Sequence, residues 1–207
     1  YVDDAAGWLA MLRGDVRFSK VFVAGHSEGS LIGILAAQRV ATDGVISIAG
    51  AGRPAGDLLL EQLAGAPPAL LEEARRIIAE LSAGRLVDQI PPDLFLVFRR
   101  SVQPYLISWL RYDPAAEAAK LAVPLLVVHG TTDMQIPLGD AYLLAASNPS
   151  ARLVIVHGMN HVLKDVALDA DAQIRSYSDP TLPLSPPLVQ AFRSFLVPSR
   201  RVRAVGR

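Results

Sequence analysis

The sequence predicts an α/β fold: a mostly parallel sheet interrupted by a block of helices. Three observations carry this expectation. Two short apolar runs, 21–24 and 44–50, flank an apolar helical stretch at 31–40, and a strand–helix–strand succession requires parallel pairing. The same alternation returns in the runs 124–130 and 152–156. Between these two blocks, residues 51–121 show helical periodicity and no strand pattern.

Each element has a local cause. Val2, Ala5, Ala6, Leu9 and Leu12 recur at helical spacing, and Gly14 supplies a stop. Val21-Phe22-Val23-Ala24 contains no polar residue, which predicts a strand buried on both faces. A glycine-bounded turn follows at 25–29, then the helix 31–40 and the strand 44–50. Within 51–121 the helical patterns fall at 58–63, 70–81 and 94–110. Pro67-Pro68, Pro91-Pro92 and Pro104 punctuate them. Beyond the strand 124–130 come a helix at 138–147, the strand 152–156 and a helix at 184–196. Pro186 and Pro187 suit the first turn of that last helix, where a missing N–H costs nothing. The expected organisation is a core made of 1–50 and 122–197, an insertion at 51–121, and a disordered tail at 198–207 rich in arginine.

Composition narrows the function. A length of 207 residues suggests one domain with an insertion. Hydrophobic residues make up 51% and charged residues 19%, enough to build a core and too apolar for a disordered chain. Twenty basic residues balance 20 acidic ones, so no net field draws the chain to nucleic acid or an anionic membrane. The absence of cysteine excludes disulfides, thiolate zinc sites and cysteine nucleophiles. No apolar run approaches the roughly 18 residues of a membrane span. The richest stretch, 21–52, is broken by His26, Glu28, Gln38, Arg39 and Asp43. No leader is visible, but the chain starts at Tyr1 rather than methionine, which leaves cytoplasmic and exported locations equally open.

The chemistry concentrates in three segments. Gly25-His26-Ser27-Glu28-Gly29 fits G-x-S-x-G, the turn that lifts a serine nucleophile above a sheet edge. Glycine at 25 and 29 is expected to remove clashes around a strained serine. The backbone N–H of Glu28 opens the next helix and points where an oxyanion would form. His26, beside the serine, is expected to pack or position. Ser27 needs a base to take its proton. His161, in the loop Gly158-Met159-Asn160-His161, is the candidate, with His157 as rival; His129 reads as structural. The base needs a carboxylate partner. Asp133, in the loop after the strand 124–130, is the candidate, and Asp140 and Asp165 are its rivals. Together these give the chain order Ser27, Asp133, His161. No metal or cofactor is expected.

These segments, with Tyr177-Ser178-Asp179-Pro180, resemble the α/β-hydrolase superfamily from residue 1 to about 196. The similarity is strongest to bacterial capped esterases and serine-aminopeptidase-like hydrolases. The resemblance implies an α/β-hydrolase fold with a helical cap insertion. It implies cleavage of a small-molecule carboxylic ester through an acyl-enzyme on Ser27. Leu59, Leu63, Phe95 and Phe98 of the insertion are expected to wall an acyl pocket, with cap packing as their other role. An aminopeptidase or amidase of the same fold is the alternative, and would hold a substrate amine on Glu61, Glu72, Glu73 or Glu80. A non-catalytic binding protein or an inactive fragment are further alternatives. Family members begin with several strands and a loop that supplies the second oxyanion N–H. Residues 1–18 look instead like the helix before the elbow strand, so the chain is expected to lack the N-terminal part of the fold.

Overall fold

The computed structural model of the chain describes residues 1–197, so the tail expected to be disordered, 198–207, lies outside the described residues. Its centre is a sheet of four parallel strands, β1 (Phe22–His26), β2 (Gly44–Ile48), β3 (Leu125–Gly130) and β4 (Ala151–Val156), in the order β1-β2-β3-β4. The register places Val23 beside Val45, Val45 beside Leu125, and Leu125 beside Ala151. β2 and β3 are buried along their whole length, which is why their sequences are apolar apart from Ser47 and His129. Among the described residues β1 has a neighbour on one side only, and Ala24 and His26 on it are exposed.

Alternate residues of the strands feed two cores. Val45, Leu125 and Val127 point to one face and meet Ile34 of α2 (Glu28–Arg39) and Ala141 and Leu144 of α8 (Leu138–Ser147). Ile46, Ile48, Leu126 and Val128 point to the other face and meet Leu188 and Ala191 of α10 (Pro186–Leu196). α1 (Val2–Gly14) lies against α2 through Leu9, which packs on Val21 and Ala36.

Between β2 and β3 run α3 (Ala55–Gln62), α4 (Pro68–Ser82), α5 (Phe95–Phe98), α6 (Gln103–Trp109) and α7 (Pro114–Ala119). Leu59, Ile77, Leu81, Leu94, Phe98 and Leu106 form a core among the first four of these helices. The pattern at 94–110, read as one helix, is two helices with 3-10 turns at Pro92–Leu94 and Arg100–Val102. Pro104 has no N–H to give to a preceding turn, so the helix restarts around it. The buried Gln103 amide locks the break. Its Oε1 accepts from Val87 N–H at 2.9 Å, and its Nε2 donates to the carbonyls of Val87 and Phe98 at 2.7 and 2.8 Å. α7 starts on Asp113, whose carboxylate accepts from the amides of Ala115 and Ala116, and packs through Ala118 into the α2 and α8 side of the sheet. α9 (Ala170–Ser176), which no periodicity announces, starts on Asp169. Among the described residues no helix is long and apolar enough to cross a membrane.

Candidate active site

The carboxyl ends of the parallel strands meet loops from three places, and there the chemistry-bearing residues converge. The first loop is the turn from β1 to α2. Ser27 sits on it with φ 55° and ψ −123°, a left-handed conformation that costs a non-glycine residue on the order of 1–3 kcal/mol. Its N–H is tied to the Ile48 carbonyl at 2.9 Å. A side chain at Gly25 would place its Cβ 1.8 Å from the Gly29 carbonyl oxygen, so glycine is required there. Gly29 differs: a Cβ built on it meets nothing within 4 Å, so glycine there answers no steric need. Glu28 is the first residue of α2, so its backbone N–H has no carbonyl within the helix to bond.

The second loop follows β3. Asp133 lies in it with its side chain fully buried. One carboxylate oxygen accepts from the amides of Gln135 and Ile136 at 2.8 and 2.9 Å, and the other is 2.8 Å from His161 Nδ1. Burial pushes the Asp133 pKa up. The His161 ring and the Ile136 and Gln135 amides outweigh burial, and the net displacement is downward, keeping the carboxylate ionised. His129, fully buried at the end of β3, supports this loop by donating Nε2–H to the Ile136 carbonyl at 2.9 Å.

The third loop follows β4 and carries His161, which is 4% exposed. Gly130 lets the second and third loops touch, since a Cβ there would lie 1.8 Å from the Met159 carbonyl. The Thr132 N–H donates to that same carbonyl at 3.1 Å. Asn160 fixes the base of the loop. Its side-chain amide donates to Ser176 of α9 at 2.7 Å and its Oδ1 accepts from the Lys164 amide at 3.0 Å. His26 reaches across from β1, with Nε2 at 2.7 Å from the His161 carbonyl, so Nε2–H donates there. Its ring lies 4.8 Å from the His161 ring. Burial is the main cause of a lowered His26 pKa.

The result is a continuous hydrogen-bonded chain. Ser27 Oγ lies 3.1 Å from His161 Nε2, and His161 Nδ1 lies 2.8 Å from Asp133. With Asp133 ionised, Nδ1 holds the proton and Nε2 is free to accept one from the serine hydroxyl. His157 is exposed, and among the described residues its side chain approaches only the Thr131 hydroxyl at hydrogen-bonding range, at 3.5 Å. Asp140 is buried elsewhere, against the Gly52 amide and the Arg53 guanidinium. Asp165 forms an isolated bridge with Met159.

A cavity of about 260 Å³ opens beside Ser27, with Glu28, Arg53, Leu58, Tyr105 and Trp109 on its wall. The four hydrophobic residues expected to wall an acyl pocket do not line it. Leu59 and Phe98 are spent in the helical core of the insertion, Leu63 packs on that core, and Phe95 is exposed on the outside. Leu58, one residue along α3, faces the cavity instead. The acids suggested as amine holders are also otherwise engaged: Glu61 pairs with Arg53, Glu73 with Arg76 and Glu80 with Arg85, and Glu72 is exposed. Arg53, Tyr105 and Trp109 carry no sequence motif, because tertiary packing alone brings α3 and α6 over Ser27. Asn160, next to the candidate base, was legible as a polar loop residue but not as the loop's anchor. Among the described residues no group of three or more histidines and acids is arranged to hold a metal.

Comparison with known proteins follows the same line. Residues 1–176 match the model of the Alpha/beta hydrolase family. Esterase EstD of Thermotoga maritima is 27% identical over 169 residues, which is 78% of this chain and 40% of that protein. The chain thus spans less than half the length of that relative. Among solved structures, Est1E of Butyrivibrio proteoclasticus with ferulic acid bound superposes with a TM-score of 0.54 at 16% identity, over 78% of this chain and 59% of Est1E. BpoC of Mycobacterium tuberculosis superposes at 0.50 with 14% identity, over 93% and 72%. At these identities the two structures speak for the fold.

Proposed function

The chain belongs to the alpha/beta hydrolase family, and from that premise we propose that it is the catalytic part of a serine esterase, with Ser27, His161 and Asp133 as its triad. The observation that carries the reading is the unbroken contact from Ser27 Oγ through His161 to Asp133, at 3.1 and 2.8 Å. The similarity to EstD supports ester as the substrate class.

Ser27 Oγ attacks the ester carbonyl as His161 Nε2 takes the hydroxyl proton. Ionised Asp133 holds the Nδ1 proton and stabilises the imidazolium that forms. The carbonyl oxygen becomes an oxyanion and accepts from the Glu28 N–H at the start of α2. The tetrahedral intermediate then collapses. His161 returns its proton to the departing alcohol, and the acyl group stays on Ser27. A water, deprotonated by the same histidine, releases the acid. The helices of 51–121 act as a cap over this site, a role supported by Leu58 of α3 and Tyr105 and Trp109 of α6 on the cavity wall.

Hydrolysis of p-nitrophenyl acetate tests the assignment. Ser27→Ala and His161→Ala should each lower kcat by at least about 10³-fold with folding intact. Asp133→Asn should cost about as much, because it favours the wrong tautomer. His157→Ala should keep most of the rate. A loss from His157→Ala equal to that from His161→Ala would overturn the assignment, as would turnover that survives Ser27→Ala.

A further inference from the structure

The wall of the cavity beside Ser27 combines apolar and aromatic residues (Leu58, Tyr105, Trp109) with the polar Arg53, Gln62 and Gln135, and it carries an acid with no basic partner. Glu28 forms no ion pair among the described residues. The other charges at the cavity are already satisfied. Arg53 is held by Asp140 at 2.7 Å and by Glu61 at 2.5 Å, so this trio carries one positive and two negative charges. A second cavity of about 170 Å³ shares Glu28, Tyr105 and Trp109 with the first and adds Tyr112. Arg39, on its rim, is paired with Asp3.

Glu28 therefore sits on the partition between two cavities, and the partition is aromatic. The Tyr105 and Trp109 rings are 5.8 Å apart, one helical turn from each other on α6. The Tyr105 hydroxyl lies against Glu28; burial and that carboxylate both push its pKa up, so it stays a neutral donor. An acid that shares a cavity wall with two aromatic rings suits one kind of group: an organic cation. The ring faces favour positive charge, Glu28 supplies the counter-charge, and the apolar remainder accommodates alkyl substituents on nitrogen. An anion would meet net negative charge.

We propose that this partition is a subsite for a cationic group, so that the preferred esters carry a protonated or quaternary ammonium. The proposal rests on the esterase reading for its link to the reaction, but the binding of the cation does not. Choline and its uncharged isostere 3,3-dimethylbutan-1-ol are the probes, and Trp109 is the reporter in a Trp8→Phe background, since the chain has two tryptophans. Choline should change the fluorescence saturably and bind at least tenfold tighter than the alcohol at low ionic strength. Glu28→Gln and Tyr105→Leu should each remove most of that preference, and added salt should weaken it. Equal binding of the two probes would overturn the proposal, as would a preference that both variants leave intact. In kinetics, the S-acetyl thioester of thiocholine should exceed that of its neutral isostere, 3,3-dimethylbutane-1-thiol, in kcat/KM by a similar factor, mainly through KM. The absence of cysteine leaves no protein thiol in the thiol-release assay. Equal kcat/KM for the two thioesters would overturn the subsite's role in substrate choice. If neither thioester nor p-nitrophenyl acetate is hydrolysed, the esterase reading falls, and the binding comparison still decides on the cation subsite.

Discussion

Ser27 keeps a left-handed backbone while its neighbours keep ordinary ones, and the strain is held in place by contacts on both sides. The Ile48 carbonyl holds its N–H, α2 begins directly after it, and the chain at Gly25 passes against the Gly29 carbonyl with no room for a side chain. The two glycines of the motif are therefore unequal, although the pattern G-x-S-x-G treats them alike. Gly25→Ala must push backbone away from backbone and should lower stability by about 1–3 kcal/mol or more, with loss of activity as the serine shifts. Gly29→Ala adds a methyl group into open space inside a helix and should be neutral or stabilising by up to about 1 kcal/mol. Thermal unfolding of the two variants checks this, and equal destabilisation would show that the turn is not held as described.

At the scale of elements, the inserted helices divide their side chains between two jobs, and periodicity cannot tell those jobs apart. Leu58 and Leu59 are adjacent on α3, yet Leu58 faces the cavity and Leu59 the helical core. Phe98 is fully buried in that core. Phe98→Ala should therefore cost about 3–5 kcal/mol of stability without changing relative rates across ester chain lengths. Leu58→Ala should shift those relative rates at a smaller cost. Measured rates on C2 to C8 esters together with unfolding midpoints separate the two outcomes. The same contrast explains what was legible. The strands β2 and β3 lie between two cores, so their sequences are mostly apolar, and the loops after β1, β3 and β4 carry Ser27, Asp133 and His161 in short recognisable segments. The break between α5 and α6 was signalled by Pro104 but its lock was not legible, because that depends on Gln103 bonding to Val87, sixteen residues earlier. α9 was hidden for another reason: it is seven residues long and too short to show a period.

For the molecule as a whole, the sheet has one edge that its own sequence does not blunt. Among the described residues β1 pairs with β2 on one side, and its other side carries the unpaired N–H and C=O groups of an edge strand. Natural edges are shielded by charge, proline, bulges or covering segments. Phe22-Val23-Ala24-Gly25 has none of these; the nearest charge is Lys20, before the strand begins. Apolar exposure on α1 and the loop after it adds a second adhesive surface. α1 and the loop after it expose Trp8, Met11 and Phe18 at 64, 55 and 48%, and Val16 fully. α1 covers α2 through Leu9, so it leaves those side chains facing outward and supplies no backbone partner to β1. Isolated apolar residues on a surface mean little, but several exposed on one helix and the loop after it favour association. The chain should therefore self-associate at about 10–100 μM, with β1 pairing across the contact. Light scattering coupled to size exclusion over that range reads the state directly. Placing charge on the edge and its flank, in Ala24→Lys with Trp8→Lys, should return the chain to monomer. A monomer throughout that range in the unmodified chain would mean that the edge is protected by something other than the residues described.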